Sequence, residues 1–301
     1  MLVLLGLGLG PGARAQLQPL LDQHRLDGLA INPAYAGSED ALNMELYARS
    51  QWVGFDGAPK TYTFSLHAPL RNKKVNLGLI VLNDRLGNKR ETGLLLNYAY
   101  RMELGRGKWS LGLGAGLSHV SNDLNSIVYT DLEDALLLDL QKSTLLPEFS
   151  IGSYYFTDRF FVGLSMPLLL SHYTNEDNGH YKLSFQMAAA NYLLTAGYLF
   201  TLTEDFGLQP SLLIKTNPRN NSQMDLHCTL ILKEKIWLGA GVRTNGSLST
   251  LLRLQVNPQL NIAYSYAYEL TELSSYQHGS HEVVLQYTFK YILDVIGPRS
   301  F

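Results

Sequence analysis

The stretch Trp109-Ser-Leu-Gly-Leu-Gly-Ala-Gly-Leu-Ser118 alternates strictly. Trp109, Leu111, Leu113, Ala115 and Leu117 fall on one side of an extended chain, and Ser110, Gly112, Gly114, Gly116 and Ser118 on the other. Successive side chains of a strand point to opposite faces, so this segment has one oily face and one small or polar face. The same period runs outward in both directions. Leu42, Met44, Leu46 and Ala48 alternate with Asn43, Glu45, Tyr47 and Arg49, and Met224, Leu226, Cys228 and Leu230 with Gln223, Asp225, His227 and Thr229. Near the end, Val283, Leu285, Tyr287 and Phe289 alternate with Glu282, Gln286, Thr288 and Lys290.

Fourteen segments of this kind are predicted. They cover 41–53, 60–70, 75–83, 91–103, 108–119, 146–156 and 159–169, then 189–201, 206–216, 222–233, 235–244, 248–256, 259–269 and 280–291. Most run to about 9–13 residues, the length a tilted strand needs to cross a bilayer. Connections alternate in length. RNKK, GRG, TD, TED, KEK and NPQ are tight, whereas GFDGAPK, NDRLGNKR, 120–145, 170–188, TNPRNNS and ELTELSSYQHGS are longer, with TNGS the exception. Short turns on one side and long loops on the other are the mark of an outer-membrane barrel. A soluble sandwich has no reason to sort its loops so.

Composition agrees. Of 301 residues only 17% are charged, with 26 Gly, 18 Tyr and a formal net charge of -2, which gives no electrostatic footprint for nucleic acid. Mean hydropathy is -0.04, and no run reaches the roughly 20 apolar residues of a membrane helix. The expected fold is all-β: a transmembrane antiparallel outer-membrane barrel of about 14 strands, preceded by a short periplasmic or lumenal segment. An even strand number puts both termini in the periplasm, and the membrane lipid is itself a partner. Trp52, Phe55, Tyr154, Tyr155, Phe160, Phe161, Tyr264, Tyr266, Tyr268, Tyr287 and Tyr291 lie near strand ends, as interfacial girdles do.

The apolar start and Ala13-Arg14-Ala15 read as the back half of a secretory signal over residues 1–15. Residues 16–40 form the N-terminal segment, and 41–301 the barrel with a short periplasmic tail. Within that segment Ile31-Asn-Pro-Ala-Tyr-Ala-Gly37 has no period at all. It reads as a structured entry packed at the periplasmic mouth or folded into the lumen, with Pro33 and Gly37 setting its bends. The bare Gly112, Gly114 and Gly116 face permits tight curvature, or lets this segment's backbone lie against the wall.

No constellation carries chemistry. Cys228 is alone, so neither a disulfide framework nor a Cys-based metal site is available. His278 and His281 are too few for zinc. Ser280 and His281 are adjacent on a strand and point apart, so they cannot serve as nucleophile and base. The chain reads as a non-enzyme with no cofactor, no metal and no small-molecule substrate.

Asn32-Pro-Ala-Tyr-Ala-Gly-Ser38, Ser50 to Thr61, Gly152 to Leu170, Trp237-Leu-Gly-Ala-Gly-Val-Arg243, Ala263-Tyr-Ser-Tyr-Ala-Tyr-Glu-Leu270 and the terminal Gly297-Pro-Arg-Ser-Phe301 resemble the PorP/SprF membrane proteins of type IX secretion and gliding systems. The match runs in order through nearly the whole mature chain, with Ala267 and Ser300 as departures. The resemblance implies a non-enzymatic outer-membrane anchor or docking platform. Its partners would be a periplasmic peptidoglycan-binding lipoprotein, or the C-terminal domain of a secreted surface adhesin. A passive diffusion channel for small solutes is the alternative. Candidate partner-binding residues are Asn32, Pro33, Tyr35 and Gly37 in the entry segment, and Tyr129, Asp131 and Tyr173 in the long loops. Arg71, Lys73 and Lys74 in a basic periplasmic turn complete the set.

Overall fold

The structure is a computed structural model and describes residues 28–122, 143–169, 171–174, 181–184, 190–218 and 220–289. The strands are β1 (Leu42–Ser50), β2 (Lys60–Pro69), β3 (Val75–Leu86), β4 (Lys89–Leu104), β5 (Gly107–Asn122) and β6 (Thr144–Phe156). They continue with β7 (Phe160–Met166), β8 (Ser171–Thr174), β9 (Tyr181–Ser184), β10 (Tyr192–Tyr198), β11 (Phe200–Thr201) and β12 (Phe206–Asn217). The last are β13 (Asn220–Leu232), β14 (Ile236–Arg243), β15 (Ser247–Gln255), β16 (Leu260–Glu269) and β17 (Ser280–Phe289).

Fourteen of these close into one antiparallel barrel. Each pairs with its neighbours in sequence, β10 bridges β7 and β12, and β1 closes on β17 from Leu42↔Phe289 to Ser50↔His281. The two-residue β11 adds to the edge of β12, and β8 and β9 form a separate hairpin. All fourteen barrel strands fall on segments the alternation predicted. Closure leaves no bare edge, and in hydrocarbon each unpaired backbone group would cost several kcal/mol.

The two faces sort as the period requires. Leu94, Leu96, Leu113, Leu117, Leu164, Leu226, Leu238 and Leu285 project outward, with Leu113 61% exposed. Asn43, Glu45, Arg49, Thr61, Thr63, Ser65, Asn97, Asp225, Glu282 and Gln286 are buried on the inner face. Lys290, expected among the inward charges, and Tyr291 lie outside the described residues, as do residues 1–15.

One end of the barrel carries the connections 70–74, 105–106, 157–159, 199–205, 233–235 and 256–259, and the other carries 51–59, 123–143, 167–191 and 270–279. Two connections predicted to be long are tight. NDRLGNKR holds only a turn at 87–88, because β3 and β4 pair out to Leu86↔Lys89. TNPRNNS reduces to 218–219, with Asn217↔Asn220 paired. Beyond the apolar band a ladder continues with polar side chains on both faces, so the sequence reads as loop. Gly87 at φ +56° supplies the left-handed conformation that such a turn needs.

The girdle expectation is corrected at two positions. Tyr155 and Phe160 face outward together, with ring centroids 6.4 Å apart. Tyr154 and Phe161 instead line the lumen, where Tyr154 sits 5.4 Å from the ring of Tyr35. They sit one position away from the outward pair, so period two sends them inside.

A lumenal plug as the candidate functional site

Residues 28–40 lie inside the barrel, in the half nearer the short turns. The segment begins as one helical turn, α1 (Gly28–Ile31). Asn32 then caps a 3-10 turn over Pro33–Tyr35, its Oδ1 accepting the Ala34 N–H at 3.0 Å. Asn at the cap and Pro at the first position are the residues such a start favours.

Three consecutive side chains of the plug reach three different sectors of the wall. Leu29, with Ala36, packs on Ile80 and Ala99. Ala30 packs on the Tyr47, Ala263 and Val284 cluster, and Ile31 on Leu193 and Leu213. These contacts bridge β3–β4, the β1–β17–β16 seam and β10–β12, so the segment crosses the lumen from side to side.

Bare wall positions receive its backbone. A Cβ on Gly112 would collide with the Ala34 N and the Pro33 carbonyl carbon, and one on Gly152 would collide with Asn32 Oδ1. A Cβ on Gly78 would meet the Leu29 methyls at 3.0 Å. The glycine face of β5 thus does two jobs, since Gly116 abuts the backbone of β4 at Leu94 and Leu95 instead. Polar contacts fix the orientation. Asn32 Nδ2 donates to the Ser153 carbonyl at 3.1 Å, Ser165 Oγ to the Ile31 carbonyl at 2.6 Å, and the Gly37 N–H to His67 Nδ1 at 3.1 Å. Gly37, at φ +70°, has no room for a side chain beside Asn76.

Arg101, 4% exposed, is the main clamp. Its Nη1 donates to the Gly37 carbonyl at 3.0 Å, its Nη2 to Asp40 at 2.6 Å, and its Nε to the Lys73 carbonyl at 3.0 Å. Lys108 Nζ holds the other Asp40 oxygen at 2.8 Å. Burial works to raise the Asp40 carboxyl's pKa, but Lys108 and Arg101 outweigh it, and the group sits below the usual carboxylate range. Tyr35 moves the other way: burial, then the charge of Glu39, pushes its phenol well above the ordinary value.

Elsewhere the lumen is laced with ion pairs. Arg49 Nε lies 3.2 Å from Glu282 Oε1, and Arg243 forks onto Asp225 with Nε at 3.0 Å from both oxygens and Nη2 at 2.9 Å. Each pair sits directly across a strand ladder. Ser280 is buried on the inner face, while His281 bonds the outward Tyr264 hydroxyl at 2.7 Å. Among the described residues no group of three or more His, Cys, Asp or Glu is placed to hold a metal ion.

Of the candidate residues, Asn32, Pro33, Tyr35 and Gly37 come together in the plug. Arg71, Lys73 and Lys74 form the exposed β2–β3 turn, where Asn72 Oδ1 accepts the Lys74 N–H at 3.1 Å. The turn connects to the plug through Arg101, whose side chain donates to the Lys73 carbonyl and whose backbone N–H donates to the Lys74 carbonyl at 2.7 Å. The backbone of Tyr173 lies opposite Lys182 in the β8–β9 hairpin, and Tyr129 and Asp131 lie outside the described residues. Leu29, Ala30, Asp40, His67, Arg101, Gly152 and Ser165 belong to the site but were not among the candidates, and Ile31 was named only as the first residue of the entry segment. Their signal was inward positions occupied by apolar or tiny residues, such as Ile80, Ala99, Leu193 and Gly152.

A solved barrel shares the architecture. The CymD monoaromatic hydrocarbon channel superposes with a TM-score of 0.55 at 13% identity, over 88% of this chain and 92% of that one. The Acinetobacter baumannii outer membrane protein Omp33 gives 0.49 at 7% identity, over 83% and 99%. At such identities the CymD likeness speaks for the fold alone. No curated protein matches the chain. The family model described as type IX secretion system membrane protein PorP/SprF matches residues 13–287.

Proposed function

The chain belongs to the PorP/SprF family of type IX secretion system membrane proteins, and from that premise we propose that it is a closed docking platform rather than a channel. In this reading the outer-membrane barrel holds secretion components or a secreted surface adhesin beside the export machinery. The observation that carries it is the plug. Leu29, Ala30 and Ile31 touch three separate sectors of the wall, so the segment spans a lumen that a porin keeps open to water. The short-turn end then faces the periplasm and presents the exposed Arg71, Lys73 and Lys74 to a periplasmic lipoprotein. The long loops face outward toward the adhesin.

Two measurements test this reading. The purified barrel is silent in planar bilayers, where a steady ohmic current would overturn the platform in favour of a small-solute channel. Secretion components co-purify with it from outer membranes in mild detergent, and Arg71→Glu/Lys73→Glu/Lys74→Glu weakens a periplasmic partner's retention at least fivefold. Unchanged retention would remove the basic turn from the interface.

A further inference from the structure

Toward the long-loop end, the outward side chains of β2, β3 and β4 change in rows. Phe64, Val81 and Leu94 lie directly across the ladders from one another, then Tyr62, Asn83 and Thr92, then Lys60, Arg85 and Arg90. In the middle row the Asn83 amide donates to the Thr92 hydroxyl at 2.9 Å. The cations stand four residues past the apolar row, about 14 Å along the strands. Apolar, then amphipathic, then cationic is the order in which a wall passes from acyl chains to lipid headgroups.

Lys60, Arg85 and Arg90 are all exposed. Directly opposite positions hold their Cβ atoms about 5 Å apart, and like charges so placed repel. Two such pairs share Arg85. Arg90 has a contact of its own, whereas Lys60 and Arg85 have no ion-pair partner among the described residues. Lys89, one position away and facing inward, is by contrast bonded to Glu91 at 2.9 Å. Across the barrel, the outward positions near the same end of β12 and β13 are the neutral Thr216 and Ser222, bonded to each other at 2.8 Å. The three cations are therefore a local patch. A phosphate group relieves their repulsion and accepts paired bonds from a guanidinium fork.

We propose that this row is a headgroup site for a phosphate-bearing lipid of the leaflet at the long-loop end. Its phosphates sit on Lys60, Arg85 and Arg90, and its acyl chains lie over Phe64, Val81 and Leu94. A soluble acidic protein would meet the loop tips, whereas this row lies on the strands in line with the apolar band. Lipid was expected around the whole barrel, and the row gives one lipid a fixed place. The site is independent of the docking role, because binding is read on the isolated barrel.

The test is native mass spectrometry of the full chain in a neutral detergent, with diphosphoryl lipid A and with the same lipid dephosphorylated. Diphosphoryl lipid A binds, and the dephosphorylated lipid binds at least tenfold more weakly. Lys60→Gln/Arg85→Gln lowers the affinity for diphosphoryl lipid A at least tenfold. Arg85→Glu alone lowers it at least fivefold, and stands by itself if the double variant fails to fold. Lys233→Gln/Lys235→Gln, in the exposed turn at the opposite end, changes it less than twofold, and inorganic phosphate in tenfold molar excess displaces no lipid. Equal affinity for the two lipids would leave the patch to an acidic protein face and overturn the proposal. So would intact binding in a folded Lys60 or Arg85 variant, an equal loss in the Lys233 and Lys235 variant, or displacement by inorganic phosphate.

Discussion

The backbone of Ala34 runs through the space that a side chain on Gly112 would need. The plug and β5 are therefore fitted to each other at the level of backbone against backbone. Gly112→Val should leave the barrel closed but lift residues 28–40 off the wall, at an overpacking cost of about 1–3 kcal/mol. Deuterium uptake over 28–40 rises and conductance appears. Gly93→Ala is the control: a Cβ there meets nothing nearer than Ser118 Oγ at 3.7 Å, so protection of the plug stays as in the wild type.

Asp40 makes the plug sensitive to acid. Its pKa is lowered in the folded protein, by Lys108 and Arg101 acting against burial. The contribution is therefore complete above the unfolded carboxylate value of about 3.9 and is lost as pH falls through the lower folded value. Exchange protection of 28–40 should hold from pH 7 to about pH 5 and fall below about pH 4. Asp40→Asn should flatten that dependence, and a profile unchanged by this substitution would contradict the clamp.

Asp225 and Arg243 form a forked pair, with Asp225 1% exposed. Removing one partner strands the other charge in the lumen, which costs about 3–5 kcal/mol, whereas replacing both with apolar residues is close to neutral. Urea unfolding in detergent should show Asp225→Leu strongly destabilised, and Asp225→Leu/Arg243→Met near the wild type.

Leu113 lies on the outer face of β5, opposite Tyr98 of β4 and Ile151 of β6. Leu113→Arg should cost about 2–4 kcal/mol if the position sits near the bilayer midplane, measured by reversible folding into lipid vesicles. A change below about 0.5 kcal/mol would place Leu113 away from hydrocarbon.

The strands were legible because a wall between lipid and a wet lumen leaves alternation undisturbed over whole segments. Trp109 to Ser118 is the clearest case. Legibility failed at both ends of that rule. Past the lipid band, Asp84 to Arg90 has nothing to alternate against, so paired backbone looks like loop. Inside, Ile80, Leu193 and Leu213 put apolar side chains on the polar face because Leu29 and Ile31 dock there. The sequence shows such positions as breaks in the pattern, but not which segment meets them. Asn32, Pro33, Tyr35 and Gly37 stood out through their residue types, and Arg101 did not, because an inward arginine on a strand resembles any other lining charge.

The strand that follows the plug, β1, is also the one that meets β17 at the closing seam. Thirteen residues of chain, already seated against strands from β3 round to β17, hang from the first staple of a cylinder whose last staple is set beside them. A single residue, Ala41, tethers that segment to the seam, so a slip in the register of the closing strands would drag along the very chain they enclose.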